Sequence, residues 1–255
     1  MDLQLPTHAL DKYKSASQQA RVATEPWGEA NLYCPACHSP RIESLRANTP
    51  AHDFRCPACL SWFQLKSKSS PFGRRVQDGA FGTMRRSIME DKTPGLFLLQ
   101  YSRPEFRVEN VLLIPHFVFN ESTLERRKPL SPNAERAGWI GCNFMLDRIP
   151  HDARIGVVVD RKPRPASEVR GAYAKLRPLE WQNASERGWT LDVLSVVRSL
   201  NKSEFSLGDI YAHSKELGSL HPGNRHVTDK IRQQLQVLRD LGLVQFLGAG
   251  HYRLR

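Results

Sequence analysis

Apolar positions recur at two different periods along the chain, and the change of period divides it. Tyr13, Ala16, Ala20 and Ala23 fall on one side at helical spacing, which predicts a helix over 11–24. Residues 31–66 read as short extended pieces around paired cysteines, and a further helix is expected over about 77–90. Three apolar runs then predict buried strands: Leu96-Phe97-Leu98-Leu99 behind Gly95, Val111-Leu112-Leu113-Ile114, and Ile155-Gly156-Val157-Val158-Val159 after Arg154. Strands alternating loosely with helices predict a mixed α/β domain over the first 180 residues. The stretch Asp160-Arg161-Lys162-Pro163-Arg164-Pro165 is basic, broken by proline and expected to be exposed.

The pattern beyond about residue 188 is helical. Leu191, Leu194, Val197 and Leu200 share one face of a predicted helix over 189–200. A second helix starts at Ser206, whose hydroxyl suits an N-cap, and runs through Ile210 to Leu217. A third, about 226–241, turns Val227, Ile231, Leu235, Leu238 and Leu241 inward and stops at Gly242. Leu243-Val244-Gln245-Phe246, the turn Gly248-Ala249-Gly250 and His251-Tyr252-Arg253-Leu254 then predict a β-hairpin. Three helices followed by a hairpin is the order of a winged helix, a variant of the helix-turn-helix. Asn224, Arg225, Thr228, Lys230, Arg232 and Gln233 are left outward at the start of the third helix, and these types contact base edges and phosphates. A winged helix used for protein contacts is the bland alternative. The composition shift near 179–187 places the boundary, giving domains over 1–182 and 183–255.

Charge favours the nucleic-acid reading. The 255 residues carry 37 Lys+Arg against 26 Asp+Glu, a net charge of +11. Of this surplus +8 lies in residues 1–180 and +3 in 181–255, so both parts could touch one polyanion. An uncommitted basic surface is the plainer alternative. No window holds eighteen consecutive apolar residues, so no membrane span is expected. Met1-Asp2-Leu3-Gln4-Leu5-Pro6 lacks the basic and apolar stretches of a secretory signal, so a cytoplasmic location is expected. There the cysteines would be reduced and available to a metal.

Cys34-Pro35-Ala36-Cys37 and Cys56-Pro57-Ala58-Cys59 are two identical knuckles separated by eighteen residues. That spacing is a zinc signature, and four thiolates complete a closed tetrahedral shell, so a structural Zn²⁺ is expected. A redox pair or unrelated thiols is the alternative. Cys142 is left over and is expected in the core. The second knuckle turns the chain between two predicted strands, 52–55 and 61–66. Alternation then puts Trp62, Gln64 and Lys66 on one face, where Asp53 can meet them across the hairpin. Asp53, Gln64 and Lys66 approximate the D-x(n)-(D/E)-x-K pattern of metal-dependent nucleases. In that pattern acidic side chains hold Mg²⁺ against a phosphate and the lysine orients the attacking water.

The chain also resembles the DpnI-type methyl-directed type II restriction endonucleases over nearly its whole length. The resemblance lies in Tyr13-Lys14-Ser15 with Ser17-Gln18, both cysteine pairs, Asp53-Phe54, Leu65-Lys66-Ser67-Lys68 and Asp78-Gly79-Ala80. It continues in Arg127-Lys128-Pro129-Leu130, Arg136-Ala137-Gly138-Trp139-Ile140-Gly141-Cys142-Asn143, Arg187-Gly188-Trp189-Thr190 and Lys230-Ile231-Arg232-Gln233-Gln234-Leu235. It implies an α/β PD-(D/E)xK nuclease domain with an embedded four-cysteine zinc site and a C-terminal winged helix. The implied activity is Mg²⁺-dependent cleavage of double-stranded DNA at 5'-G(m6A)TC-3', by a chain expected to be monomeric in solution. By position Asp53 is the metal-binding carboxylate and Lys66 the catalytic lysine. Gln64 stands where the family has Glu; an amide oxygen can still coordinate Mg²⁺, but one negative charge is lost. A non-catalytic zinc and winged-helix protein that binds methylated DNA is therefore the alternative.

A strict methyl requirement needs more than methyl burial, which is worth about 0.8 kcal/mol. An aromatic wall that fits the modified base, or two readers in series, would supply it. The Arg136–Cys142 segment supplies the wall candidate in Trp139, with Leu130 and Ile140 as further apolar surface; the resemblance implies that this segment reads the modified site, with Arg127, Lys128 and Arg136 as further DNA- or base-binding candidates. A core position for Trp139 is the ordinary alternative.

Overall fold

The computed structural model describes residues 1–46, 49 and 52–255. In chain order the elements begin with α1 (Ala16–Asn31), β1 (Glu43–Ser44), β2 (Phe54–Arg55), β3 (Trp62–Lys68), β4 (Arg75–Ala80), α2 (Phe81–Met89), β5 (Gly95–Ser102) and β6 (Arg107–Ile114). They continue with β7 (Leu124–Arg126), β8 (Gly141–Met145), β9 (Ile155–Val159), β10 (Lys162–Pro163), α3 (Ala166–Leu176) and α4 (Ala184–Ser199). Last come β11 (Glu204–Ser206), α5 (Leu207–Tyr211), α6 (Ser214–Leu220), α7 (Val227–Asp240), β12 (Val244–Gly248) and β13 (His251–Leu254).

The chain folds into two compact units, each assembled from three segments. The first takes Met1–Gly73, Pro94–His116 and Asp152–Ala174. Its sheet has the order β1-β2-β3-β5-β6-β9-β10, with β3 and β5 parallel and the other neighbours antiparallel. The apolar runs occupy its middle, where Leu96, Phe97, Leu98, Leu99, Val111, Leu113, Val157 and Val158 are all buried. Burial of both faces of β5 explains a continuous run where a half-exposed strand would alternate. Helix α1 approaches closely at Gly28, where a Cβ would lie 2.9 Å from the Phe54 ring and 3.4 Å from Leu65. Two sequence expectations need correction here. The first strand of the zinc hairpin is confined to Phe54–Arg55, and the first helix begins at Ala16 and runs through Pro26 to Asn31.

The second unit takes Arg74–Thr93, Phe117–His151 and Lys175–Arg255. Residues 77–90 are not one helix: 75–80 form β4, which pairs with β8, and α2 follows. Val76 and Asp78 are buried while Arg75, Gln77 and Gly79 are exposed, a period of two that the sequence window blurred into a helix. β4, β8 and β7 form a three-stranded antiparallel sheet, and Cys142 is buried within it, its thiol directed at the Gly79 carbonyl.

In the same unit the C-terminal segment builds the winged helix. α4 starts at Ala184, five residues before the predicted onset, and its N-cap Asn183 accepts from the Glu186 amide. Ser206 caps as expected, in a reciprocal box with Asp209. The predicted second helix is two short helices, α5 and α6. A strand not expected from the sequence, β11, pairs with β13 and completes the sheet β11-β13-β12. Gly242 ends the third helix region at φ +74°, a conformation glycine adopts without penalty. Among the described residues no helix is long and apolar enough to cross a membrane.

Candidate functional site

The cysteine knuckles converge. The four Sγ atoms of Cys34, Cys37, Cys56 and Cys59 all lie within 4.8 Å of one another, with Cys34 and Cys59 at 3.5 Å and Cys37 and Cys56 at 3.6 Å. Four sulfurs at these separations could hold one zinc ion at the usual Zn–S length of about 2.3 Å. The Ser39 and Cys59 amides point at the sulfurs of Cys37 and Cys56, at 3.4 and 3.5 Å. Burial opposes ionisation of Cys56, but the Cys59 and Ala58 amides outweigh it and bring that thiol down to about 6. Burial and the adjacent Cys59 push Cys34 up instead. Arg170 of α3 braces the first knuckle by donating to the carbonyls of Cys34 and Ser39.

The closed hairpin sets the register beyond it. Phe54 pairs with Phe63 and Arg55 with Trp62, and the Asp53 amide donates to the Phe63 carbonyl at 2.9 Å. The Leu65 amide donates to the Asp53 carboxylate at 2.7 Å. That amide lies between Gln64 and Lys66, so the bond fixes the carboxylate beside the strand segment that carries both. Burial raises the Asp53 pKa above the ordinary carboxylate value, opposed by the Leu65 hydrogen bond and the charges of Lys66 and Arg21. Gln64 is only 8% exposed, and its side chain makes no hydrogen bond among the described residues.

A second carboxylate escaped sequence reading. Glu25 of α1 is half-buried and paired with Arg21 at 2.8 Å. Its pKa is raised by burial, with Asp53 adding to the rise against the opposing pull of Arg21. Helical periodicity marks the apolar side of α1 and carries no signal for which polar residue borders a site nearly thirty residues away.

In the other unit, residues 127–140 form the loop of the β7–β8 hairpin. Arg127 and Gly141, and Leu130 and Trp139, are joined by backbone hydrogen bonds, and Gly138 turns the chain at φ +78°. Trp139, Ile140, Leu130 and Arg127 are half-buried, while Lys128 and Arg136 are exposed. The Arg136 guanidinium lies 4.8 Å over the Trp139 ring. The ring also lies against the Gly141 backbone, so close that a Cβ there would stand 2.8 Å from it.

On the winged helix, Thr228, Arg232 and Gln233 are exposed on α7 and Lys230 is half-buried, donating to Gln233 at 2.8 Å. Asn224 and Arg225 lie in the turn before the helix rather than on it. Arg232 sits 5.7 Å over Tyr211 of α5. Behind this face Asp192 of α4 is a buried junction. It accepts from Asn120 at 3.1 Å and Ser122 at 2.6 Å, and its second oxygen meets His221 at 2.7 Å. The His221 ring stacks on Trp189 at 4.0 Å.

Fold and site together define a mixed α/β protein with a cysteine-knuckle hairpin and a C-terminal winged helix, the build of a protein that acts on DNA. Residues 1–182 match the DpnI model, described as the Dam-replacing family, and residues 185–254 match its companion, the Dam-replacing HTH domain. The chain belongs to the DpnI family, as a DpnI-type methyl-directed nuclease with a DNA-binding helix-turn-helix domain.

Proposed function

We propose that this protein is a restriction endonuclease that cleaves double-stranded DNA at 5'-G(m6A)TC-3' by Mg²⁺-dependent phosphodiester hydrolysis. In this reading residues 1–182 carry a PD-(D/E)xK catalytic site and residues 183–255 a second reader of the same duplex. The chain works as a monomer in the cytoplasm. The observation that carries the proposal is the Asp53 carboxylate pinned beside Gln64 and Lys66 in a chain of this family. Asp53 and Gln64 offer only oxygen donors, which suits a hard cation, although a single carboxylate and an amide bind it less tightly than two carboxylates. Magnesium, when bound there, would supply positive charge to the scissile phosphate. Lys66 orients the attacking water and offsets charge developing on the phosphate. The four cysteines hold a structural zinc that keeps the hairpin closed and so keeps Asp53 in register with β3. Trp139, stiffened between Arg136 and the Gly141 backbone, offers the aromatic wall for the methylated adenine, with Leu130 and Ile140 beside it and Arg127 and Lys128 against the backbone. Asn224, Arg225, Thr228, Lys230, Arg232 and Gln233 contact bases and phosphates from the winged helix.

Cleavage of fully methylated plasmid in Mg²⁺, absent with unmethylated plasmid, tests this directly. Asp53→Ala and Lys66→Ala should each abolish cleavage while methylated DNA is still bound. The second reading, a methylated-DNA-binding protein without catalysis, is favoured by Gln64 alone. It predicts binding by the native chain with no cutting at any Mg²⁺ concentration.

A further inference from the structure

Trp62 is 41% exposed, although it is the residue of β3 next to the zinc knuckle and directly precedes the buried Phe63. Strand alternation puts Trp62, Gln64, Lys66 and Lys68 on one face, at about 6.8 Å per step. The exposed ring therefore begins the row in which the proposed catalytic side chains stand. Its cross-strand partner is Arg55, whose guanidinium lies 5.2 Å over the ring. His52 meets the ring edge-on, with centroids 4.9 Å apart.

Arg55, like Arg136, Arg170 and Arg232, caps an aromatic ring, and it differs from the arginines committed to ion pairs. Arg21, Arg41, Arg74 and Arg75 each hold a carboxylate. Among the described residues Arg55 has none, and its buried Nε has no hydrogen bond. An aromatic face capped by an uncompensated cation is a poor use of hydrophobic surface for stability alone. It matches a deoxyribose with its phosphate: the ring takes the sugar and the guanidinium takes the anion.

We infer that Trp62 and Arg55 form a docking platform for the DNA sugar-phosphate backbone beside the scissile phosphate. The inference rests on the nuclease reading above only for where the cut falls. The platform positions substrate and performs no chemistry.

The test uses the full chain, loaded with zinc, and a methylated G-A-T-C duplex. Trp62→Ala should raise KM about tenfold, the loss of apolar contact with the sugar together with the held guanidinium, and leave kcat within about twofold. Trp62→Tyr should recover most of the loss. Arg55→Gln should reduce the slope of log KM against log salt by about one, as loss of one phosphate contact does. In a Lys66→Ala background, hydroxyl-radical footprints should lose protection beside the cut on adding Trp62→Ala and keep the winged-helix footprint. An unchanged KM with an unchanged footprint overturns the platform. Should Trp62→Ala lose its zinc, Arg55→Gln decides, and a wild-type salt slope then overturns it. A native chain that binds the duplex and never cuts it defeats the nuclease reading instead, because the footprint is read without cleavage.

Discussion

The zinc hairpin and the β7–β8 loop are both turns that present polar and aromatic side chains, but they are held by opposite means. In the hairpin most fixing contacts are short in sequence. The knuckles close it, Arg55 pairs with Trp62, and Asp53 is tied to Leu65 twelve residues on. The β7–β8 loop closes on itself, but the sheet beneath it is anchored by distant residues. Asn120 reaches the Gly188 carbonyl and Asp192, and Arg187, 2% exposed, pairs with Asp91. The contrast shows how damage should spread. Apart from the distant brace at Arg170, damage to the hairpin should stay local, whereas contacts spanning 68 to 96 residues make the loop's support and the winged helix answer to the same substitutions.

The largest effect expected from this contrast is at the zinc. Purified protein should contain about one equivalent by elemental analysis, since structural zinc contributes on the order of 10 kcal/mol to the fold around it. Cys56→Ser should lose the metal and all cleavage, while a duplex gel shift still reports binding through the winged helix. Folded protein that cuts DNA with less than about a tenth of an equivalent would show that the hairpin holds its register without zinc.

Asp192→Ala comes next. It leaves Asn120, Ser122 and His221 without their shared acceptor, and removing the centre of a buried polar network costs roughly 2–4 kcal/mol. Urea unfolding should show this loss together with weaker DNA binding, and kcat at saturating DNA should stay near the native value. A variant with native binding would show that the network does not support the reader.

Methyl reading should move by less. Duplexes methylated on both strands, one strand or neither should bind and be cut in that order, each lost methyl costing about 1 kcal/mol per reader. Trp139→Ala should flatten this ladder by weakening the methylated duplex most. Gly141→Ala should flatten it partly, because its Cβ displaces the ring from the backbone. Equal cutting of unmethylated and fully methylated duplexes would remove Trp139 from its role. Gln64→Glu should raise cleavage several-fold, most visibly at low Mg²⁺, and a fall at every concentration would show that Gln64 does not stand in for a carboxylate. The smallest change belongs to Arg232→Gln, which should weaken all duplexes alike and lower the salt slope by about one.

Much of the architecture is legible where periodicity and burial agree. The apolar runs at 96–99, 111–114 and 155–159 lie in β5, β6 and β9; of the residues expected inward on the third helix, Ile231, Leu235 and Leu238 are fully buried, while Val227 and Leu241 at its ends are half-buried. Residues 77–90 misled because Asp78 is buried in a strand while Met84 and Ile88 are buried in a helix, and a single window averaged a period of two with one of 3.6. β11 was invisible because three residues carry no periodicity of their own; pairing with β13 makes them a strand.

The features that follow from the chain alone are therefore those that local geometry suffices to set. Two C-P-A-C knuckles bring four sulfurs together, and the hairpin that turns at the second knuckle sets Asp53 against β3, because a closed turn fixes register within a few residues. The winged helix follows from amphipathic spacing, a capping serine and glycine stops for the same reason. The folded molecule alone reveals that Glu25 borders Asp53, that Trp62 is left open under Arg55, and that residues 74–93 and 117–151 share a compact unit with 175–255. Those outcomes depend on which surfaces bury each other across large sequence separations. Apolar burial drives that choice without direction, so no residue type or spacing along the chain announces its partner.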